Sequence, residues 1–379
     1  MTGIGQQDLN ALKDLAERFA ERELAPNALK RDRYPFVEFD RPVVDKAASI
    51  GLLAPTVPES HGGSGLHMTG LAVVLESMAR HDASVAAVIF VQSLARHFLA
   101  SIVVNDLEPE WSTAPREGSD LLALPIYTDP DEPPITIRAV YDADGFSLSG
   151  TLDYVACLPA AKAVIVPADL DGRLHSFLVE TDRSGVSISE PVVSLGLRAC
   201  PCADLALDQV KLPMANRLDD EESLDIYQTL ADQYRGPLAA MALGIIRGCY
   251  AEALHYATDR YQAKKQIIEH DMIMRMLADM RAWIDLGEAG ISTICRISEK
   301  DRAPSRTRTM SVQELVTRAA VQASTDGVQI LGGYGYMHEY GQEKRMRDAK
   351  QVQAIFGPSP VRTLRILESA MEGYQNHDR

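Results

Sequence analysis

The chain has 379 residues, 46% of them apolar, with 53 acidic against 38 basic side chains and a formal net charge of −15. This length exceeds one ordinary domain and supplies ample core material. The acidic balance argues against nucleic acid or an anionic membrane surface as main partner, although a few local basic residues can still hold a phosphorylated ligand.

The opening MTGIGQQD has neither a basic n-region nor an apolar h-region, so no signal peptide is expected. No uninterrupted apolar run looks long enough to cross a bilayer, so the expectation is a cytoplasmic protein without membrane insertion. Five cysteines form no CxxC pair, and Cys200-Pro201-Cys202 has no His–Cys cluster to complete a metal site. Reduced thiols and no metal are expected.

Residues 8–105 read as helical. Leu9, Leu12, Leu15, Ala16 and Phe19 fall at helical spacing, and Pro26 should end that helix. A short second helix is predicted over 43–53, stopped by Pro55 and Pro58. The segment Pro58-Glu59-Ser60-His61-Gly62-Gly63-Ser64-Gly65-Leu66 is a loop by its glycine content. A long helical tract over 71–100 follows and carries Glu76, Arg80, Asp82 and Ser84.

Residues 107–120 are polar, with two prolines, and read as a linker. The apolar period then becomes two, over 122–127, 135–141, 146–148, 163–166, 176–179 and 205–207. Asp144-Gly145 and Asp171-Gly172 supply turn signals between them. Short strands at this spacing suggest an antiparallel barrel or sandwich. From Leu224 the helical period returns, with helices predicted over 224–262, 268–300, 308–331 and 342–372, as in a four-helix bundle. The fold class expected is α+β in three domains: helical 1–120, central antiparallel β 121–220, and a C-terminal bundle 221–379.

The stretch from Gln329 to Pro360 carries the strongest pattern. It holds Gly332, Gly333, Gly335 and Tyr336, then Met346-Arg347-Asp348-Ala349-Lys350, then Phe356-Gly357-Pro358-Ser359. Closely spaced glycines let backbone approach a ligand and turn N–H groups toward a phosphate. They equally suit a helix C-cap and turn. Together these blocks resemble the C-terminal signature of the acyl-CoA dehydrogenase family: Gln-x-x-Gly-Gly-x-Gly-Tyr, Met-Arg-Asp-Ala-Lys, then Tyr-Glu-Gly-Thr. The first two match and the third does not. Residues 58–66 resemble the family's Pro-x-x-Tyr-Gly-Gly-x-Gly, with His61 for Tyr, and Glu76, Arg80, Asp82 and Ser84 match a further block. Leu195–Arg198 and Val210–Pro213 are similar to its exit from the β-domain. The resemblance covers nearly the whole chain.

The resemblance implies FAD shared between subunits, an acyl-CoA thioester substrate and an electron-transferring flavoprotein as acceptor if the chain is active. A carboxylate would take the α-proton as β-hydride passes to flavin N5. Gly357 occupies the usual place of that Glu, and Tyr234 the alternative place. An unperturbed phenol, with a pKa of roughly 10, is a poor base at neutral pH. On the flavin, Thr128 and Pro130 are kept, but Asp131, Glu132, Pro133 and Pro134 replace the family's Gly-Ser-Asp loop. Tyr154, Val155 and Ala156 stand for Trp-Ile-Thr, and Ser359 follows the missing Glu. Arg260, Gln329, Gly332 and Gly333 match residues that serve the neighbouring subunit's FAD, with Ala263 and Lys264 replacing Phe and Gly after Arg260. Asp232 and Arg235 match substrate-side positions, and Phe90, with Ala86, Ala87 and Ile89, lies where the family lines its acyl pocket. Packing explains Thr128, Tyr154, Ala156 and Phe90 as readily, and a helix-surface pair explains Asp232 with Arg235. The function implied is α,β-dehydrogenation by a subunit of a heteromeric enzyme, in a homo- or hetero-dimer or tetramer. Altered flavin chemistry, or a non-catalytic acyl-CoA-binding or assembly role, are the alternatives.

Overall fold

The structure, a computed structural model, describes residues 5–34, 38–102, 111, 113, 115, 120–142, 144–218, 223–298 and 306–377. Most of the expected 107–120 linker lies outside them.

Helix α1 (Gln6–Phe19) buries Ala16 and Phe19. Pro26 does not end the coiling. The chain widens into a π turn at Ala20–Leu24 and continues through a 3₁₀ turn, Ala25–Asn27, into α2 (Ala28–Arg31). Pro26 falls in the first turn of its own helical piece, where a missing N–H costs nothing. Helix α3 (Arg41–Ser49) stops short of the expected 53, since Gly51 turns left-handed at φ +76. Helix α4 (Met68–Ser101) is kinked at Asp82 (φ −150, ψ 97), whose Oδ1 accepts the Ser84 N–H at 3.1 Å. Asp82 thus caps the second half of α4 from within.

The central strands are β1 (Leu122–Ala123), β2 (Ile137–Asp142), β3 (Gly145–Ala156), β4 (Ala163–Leu170), β5 (Arg173–Glu180), β6 (Val186–Ile188) and β7 (Cys202–Pro213). They form one sheet in the order β1-β4-β2-β3-β7-β6, with β5 paired to β4. The sheet is mixed, not purely antiparallel: β1 and β2 both run parallel to β4. After β3 the chain turns through Cys157–Ala160 and returns beside β2, one strand over, and that skip sets the parallel pairing. The β4–β5 turn is the expected Asp171-Gly172, at φ +52 and +81, the signs a tight hairpin requires.

The C-terminal part holds α5 (Ser223–Asp259), the small hairpin β8 (Tyr261–Gln262) and β9 (Lys265–Gln266), then α6 (Asp271–Ser298), α7 (Arg306–Leu331), α8 (Gln342–Ala354) and α9 (Ser359–His377). The single helix expected over 342–372 is therefore two. Phe356 (φ +61) and Gly357 (φ +93) reverse the backbone, and Pro358 cannot continue it.

By length and composition α4 and α5 could span a bilayer, which corrects the reading that no stretch qualifies. Their apolar windows are 89% and 72% buried within the protein, so they act as core helices. Phe90 of α4, Tyr234 and Met241 of α5, Met280 of α6 and Phe356 share one core, while Phe146, Leu152, Val164, Phe177 and Leu205 form a second core on the sheet. The helices from both ends of the sequence thus pack as one body, and the chain around Phe356 lies inside it.

Candidate functional site

Gly357 sits in the reversal between α8 and α9. Its carbonyl accepts from Arg362 Nη1 at 3.0 Å. A Cβ built there would come within 3.3 Å of Asp129 Cα and 3.4 Å of Asp129 Cβ. Ahead of it, Phe356 is 2% exposed, with its N–H donated to the Ile126 carbonyl at 2.8 Å. Its ring meets Phe90 at 5.7 Å between centroids and lies 5.6 Å from the Arg235 guanidinium carbon. Phe90 in turn meets Tyr234 edge-on at 5.8 Å. These aromatic rings and the guanidinium fill the space between α4 and α5. The gap left beside Gly357, lined by Asp129, Arg235, Met310 and Arg362 among others, is about 10 Å³, at the lower limit for one water.

Tyr234 is fully buried, and its hydroxyl donates to the Ser93 carbonyl at 2.8 Å. The same oxygen lies 2.8 Å from Thr56 Oγ1 and 3.2 Å from His97 Nδ1. Burial drives the phenol well above its ordinary pKa and holds His97 down to about 4. Tyr234 stays protonated, a structural hydroxyl in a closed network. Arg235 donates Nε to Asp232 Oδ1 (2.9 Å) and Nη1 to Gln313 Oε1 (2.7 Å). The expected helix-surface pair is thus mostly interior. Burial raises the Asp232 pKa against the opposing pull of Arg235.

On the sheet side, the polar groups that would meet a flavin are already engaged. Thr128 Oγ1 donates to the Pro125 carbonyl at 3.0 Å. Ala156 offers only a methyl group, and its backbone pairs with Leu124. Tyr154, left-handed at φ +57, donates its hydroxyl to Ser194 Oγ at 2.9 Å and accepts from Gln351 Nε2 at 2.8 Å. Gln351 also donates to the Tyr127 hydroxyl at 3.0 Å and accepts the Gly196 N–H at 2.9 Å. Tyr127 and Tyr154 pack at 4.9 Å, and burial pushes Tyr154 up to about 12. Ser359 Oγ is spent on Glu314 Oε1 at 2.5 Å. Ala156 thus brings no hydroxyl to the position where the resemblance expects one, and Gln351 bridges Tyr154 to Tyr127.

The other set lies apart. Arg260, at the end of α5, and Gln329, Gly332 and Gly333, at the end of α7, are all exposed. Tyr256, one turn before Arg260, meets Tyr334 edge-on at 6.1 Å, so the two helix ends adjoin. Gly332 has φ +59, and neither it nor Gly333 has any atom within 4 Å of a notional Cβ. This turn offers bare backbone to solvent.

The two best-matched charged motifs are structural. Lys344 Nζ lies 2.6 Å from Asp348 and 3.2 Å from Asp82, and Arg31 Nε lies 2.9 Å from Asp82. Opposing cations hold the Asp82 carboxyl down despite full burial. Asp32, His338 and Glu343 could converge on a cation, but Arg347 already bridges Asp32 and Glu343. Gln351, Gln313, His97 and Arg362 are site neighbours that the sequence reading missed. None belongs to a motif, and only the fold brings them in. A cleft of about 1250 Å³ between the α2–α3 region and the sheet, lined by Tyr34, Phe39, Arg41, Pro191 and Arg198, holds none of the expected site residues.

Family models described as acyl-CoA dehydrogenase N-terminal domain and C-terminal domain match residues 6–102 and 224–371. The chain is 27% identical to cyclohexane-1-carbonyl-CoA dehydrogenase of Syntrophus aciditrophicus (strain SB), over 94% of this chain and 95% of that protein. It is also 27% identical to probable acyl-CoA dehydrogenase YngJ of Bacillus subtilis (strain 168), over 95% and 97%. Its fold matches butyryl-CoA dehydrogenase from Megasphaera elsdenii with a TM-score of 0.88 and 25% identity, covering 98% of this chain and all of the other.

Proposed function

The chain belongs to the acyl-CoA dehydrogenase family, and from that premise we propose that it is a subunit of a heteromeric enzyme that α,β-dehydrogenates an acyl-CoA thioester. In this reading it completes the FAD site of a related partner chain and turns over no substrate at its own. Members of this family depend on FAD, and relatives of similar length are named for dehydrogenation of acyl-CoA thioesters.

The observation that carries the proposal is a contrast within one chain. Around Gly357, Phe356, Phe90 and Tyr234 close the space, the nearby carboxylates of Asp129 and Asp131 face Arg365 and Arg306, and Gln351 ties the sheet tyrosines together. At Gly332 and Gly333 the backbone is bare and open. One lost residue would suit altered chemistry. Loss of base, hydroxyl edge and Gly-Ser-Asp loop together suits a site no longer used, while the outward-facing turn remains.

Asp232, Arg235 and Phe90 then serve packing rather than substrate. Arg260, Gln329, Gly332 and Gly333 face the neighbour's cofactor, and Thr128, Tyr154 and Ser359 hold the chain's own interior. An electron-transferring flavoprotein would accept electrons from the assembled pair. The test compares the lone chain with the chain purified alongside a related partner, by visible flavin absorbance and by turnover with an artificial acceptor across a panel of acyl-CoAs. Flavin and turnover in the pair alone are expected. A flavin-loaded, active homomer overturns the proposal.

A further inference from the structure

The loop that follows β1 holds three carboxylates over a group of arginines. Asp131 pairs with Arg306 at the start of α7, and Glu132 pairs with Arg365 on α9. Asp129 Oδ2 lies 3.9 Å from Arg365 Nε. The loop is braced from within: the Asp131 N–H donates to Asp129 Oδ1 at 3.0 Å, and the Glu132 N–H to the Asp129 carbonyl at 3.2 Å. Beneath it, Arg235 and Arg362, 2% and 3% exposed, line the same narrow gap beside Gly357.

We propose that residues 129–132 form a built-in anionic plug, whose carboxylates occupy an arginine site that would otherwise take a diphosphate-bearing ligand. The buried arginines are committed to the protein: Arg235 to Asp232 and Gln313, and Arg362 to Glu314 and three carbonyls. Arg306 and Arg365 are different. They are about a third exposed, and both meet carboxylates of a surface loop, although Arg365 also reaches Glu368 on its own helix at 3.3 Å. Arg306 also has the Asp232 carboxylate at 3.9 Å. With the loop acids in place, carboxylates outnumber guanidiniums around the gap, and a diphosphate meets net negative charge. With the loop acids neutralised, the four guanidiniums face three remaining carboxylates, Asp232, Glu314 and Glu368. Two guanidiniums held by consecutive loop acids suit a diphosphate, since each can grip phosphate oxygens as a two-pronged donor. The inference requires neither catalysis nor a partner chain.

The test is calorimetric titration of inorganic pyrophosphate, and separately of coenzyme A, into the whole chain and into Asp129→Asn/Asp131→Asn/Glu132→Gln. The variant should bind pyrophosphate at least about tenfold tighter than the unaltered chain, and adding Arg365→Gln should reverse the gain. A matching gain for coenzyme A marks a nucleotide-borne diphosphate as the ligand class; a gain for pyrophosphate alone marks the free anion. A variant that binds no tighter than the unaltered chain overturns the plug. Should the variant fail to fold, amide exchange on the unaltered chain decides. Exchange at 131 and 132 should quicken as salt rises from about 0.05 to about 0.5 M, because screening loosens exposed ion pairs, while exchange at 137–142 stays constant. Salt-independent exchange at 131 and 132 overturns it.

Discussion

The ring of Phe356 lies 5.7 Å from that of Phe90, closing the space between the α8–α9 reversal and helix α4. The residue before the expected base is thus a core side chain, and the residue at the base position, Gly357, is backbone at φ +93 beside Asp129.

Gly357→Glu should therefore not restore dehydrogenation. A side chain at this φ costs about 1–2 kcal/mol, and the new carboxylate would enter beside Asp129, a like charge. Turnover with an artificial acceptor should stay at background, and the thermal midpoint should fall. Robust turnover by the variant homomer would show that the site needs only its base.

Gly333→Asp tests the outward turn. With nothing within 4 Å of its notional Cβ, the lone chain should keep its melting temperature. In the heteromer, a carboxylate set against a neighbour's diphosphate should lower flavin content and turnover together. Unchanged activity of the pair would remove this turn from the site.

His97 should make stability pH-dependent. Burial lowers its pKa to about 4, against about 6.5 in an unfolded chain. The unfolded chain binds the proton first, so stability is full above about 6.5 and falls as pH drops from there toward 4, by up to about 3 kcal/mol. Denaturant unfolding at a series of pH values should show the loss, and His97→Asn should flatten it. Identical slopes for both proteins would place the loss elsewhere.

Lys344→Met should destabilise the fold strongly. It leaves the fully buried Asp82 and Asp348 without their shared cation, and breaking a buried pair costs about 3–5 kcal/mol. Asp348→Asn combined with Lys344→Met should recover part of that loss, since Arg31 still faces Asp82. Chemical denaturation of the three proteins measures both. A single variant within about 1 kcal/mol of the unaltered chain would mean the network is dispensable.

The sequence by itself determined the helix–strand–helix order, the Asp171-Gly172 hairpin and the family, because period, turn chemistry and motif spacing are local properties. What it left undecided depended on which remote residues meet. Pro26 and the 342–372 helix were misjudged because helix continuation turns on backbone angles at Leu24, Phe356 and Gly357, not on apolar spacing. The parallel pairing of β4 follows from a one-strand skip that no residue announces. Gln351, 155 residues from Gly196 and 197 from Tyr154, enters the site only because α8 packs against the sheet. Likewise, acids that read in sequence as a mere change of loop charge become partners of Arg306 and Arg365 only when α7 and α9 bring those guanidiniums to them. Charge and side-chain type are written residue by residue, but whether a charge is paired, or a ring fills a pocket, is settled by contacts between distant segments.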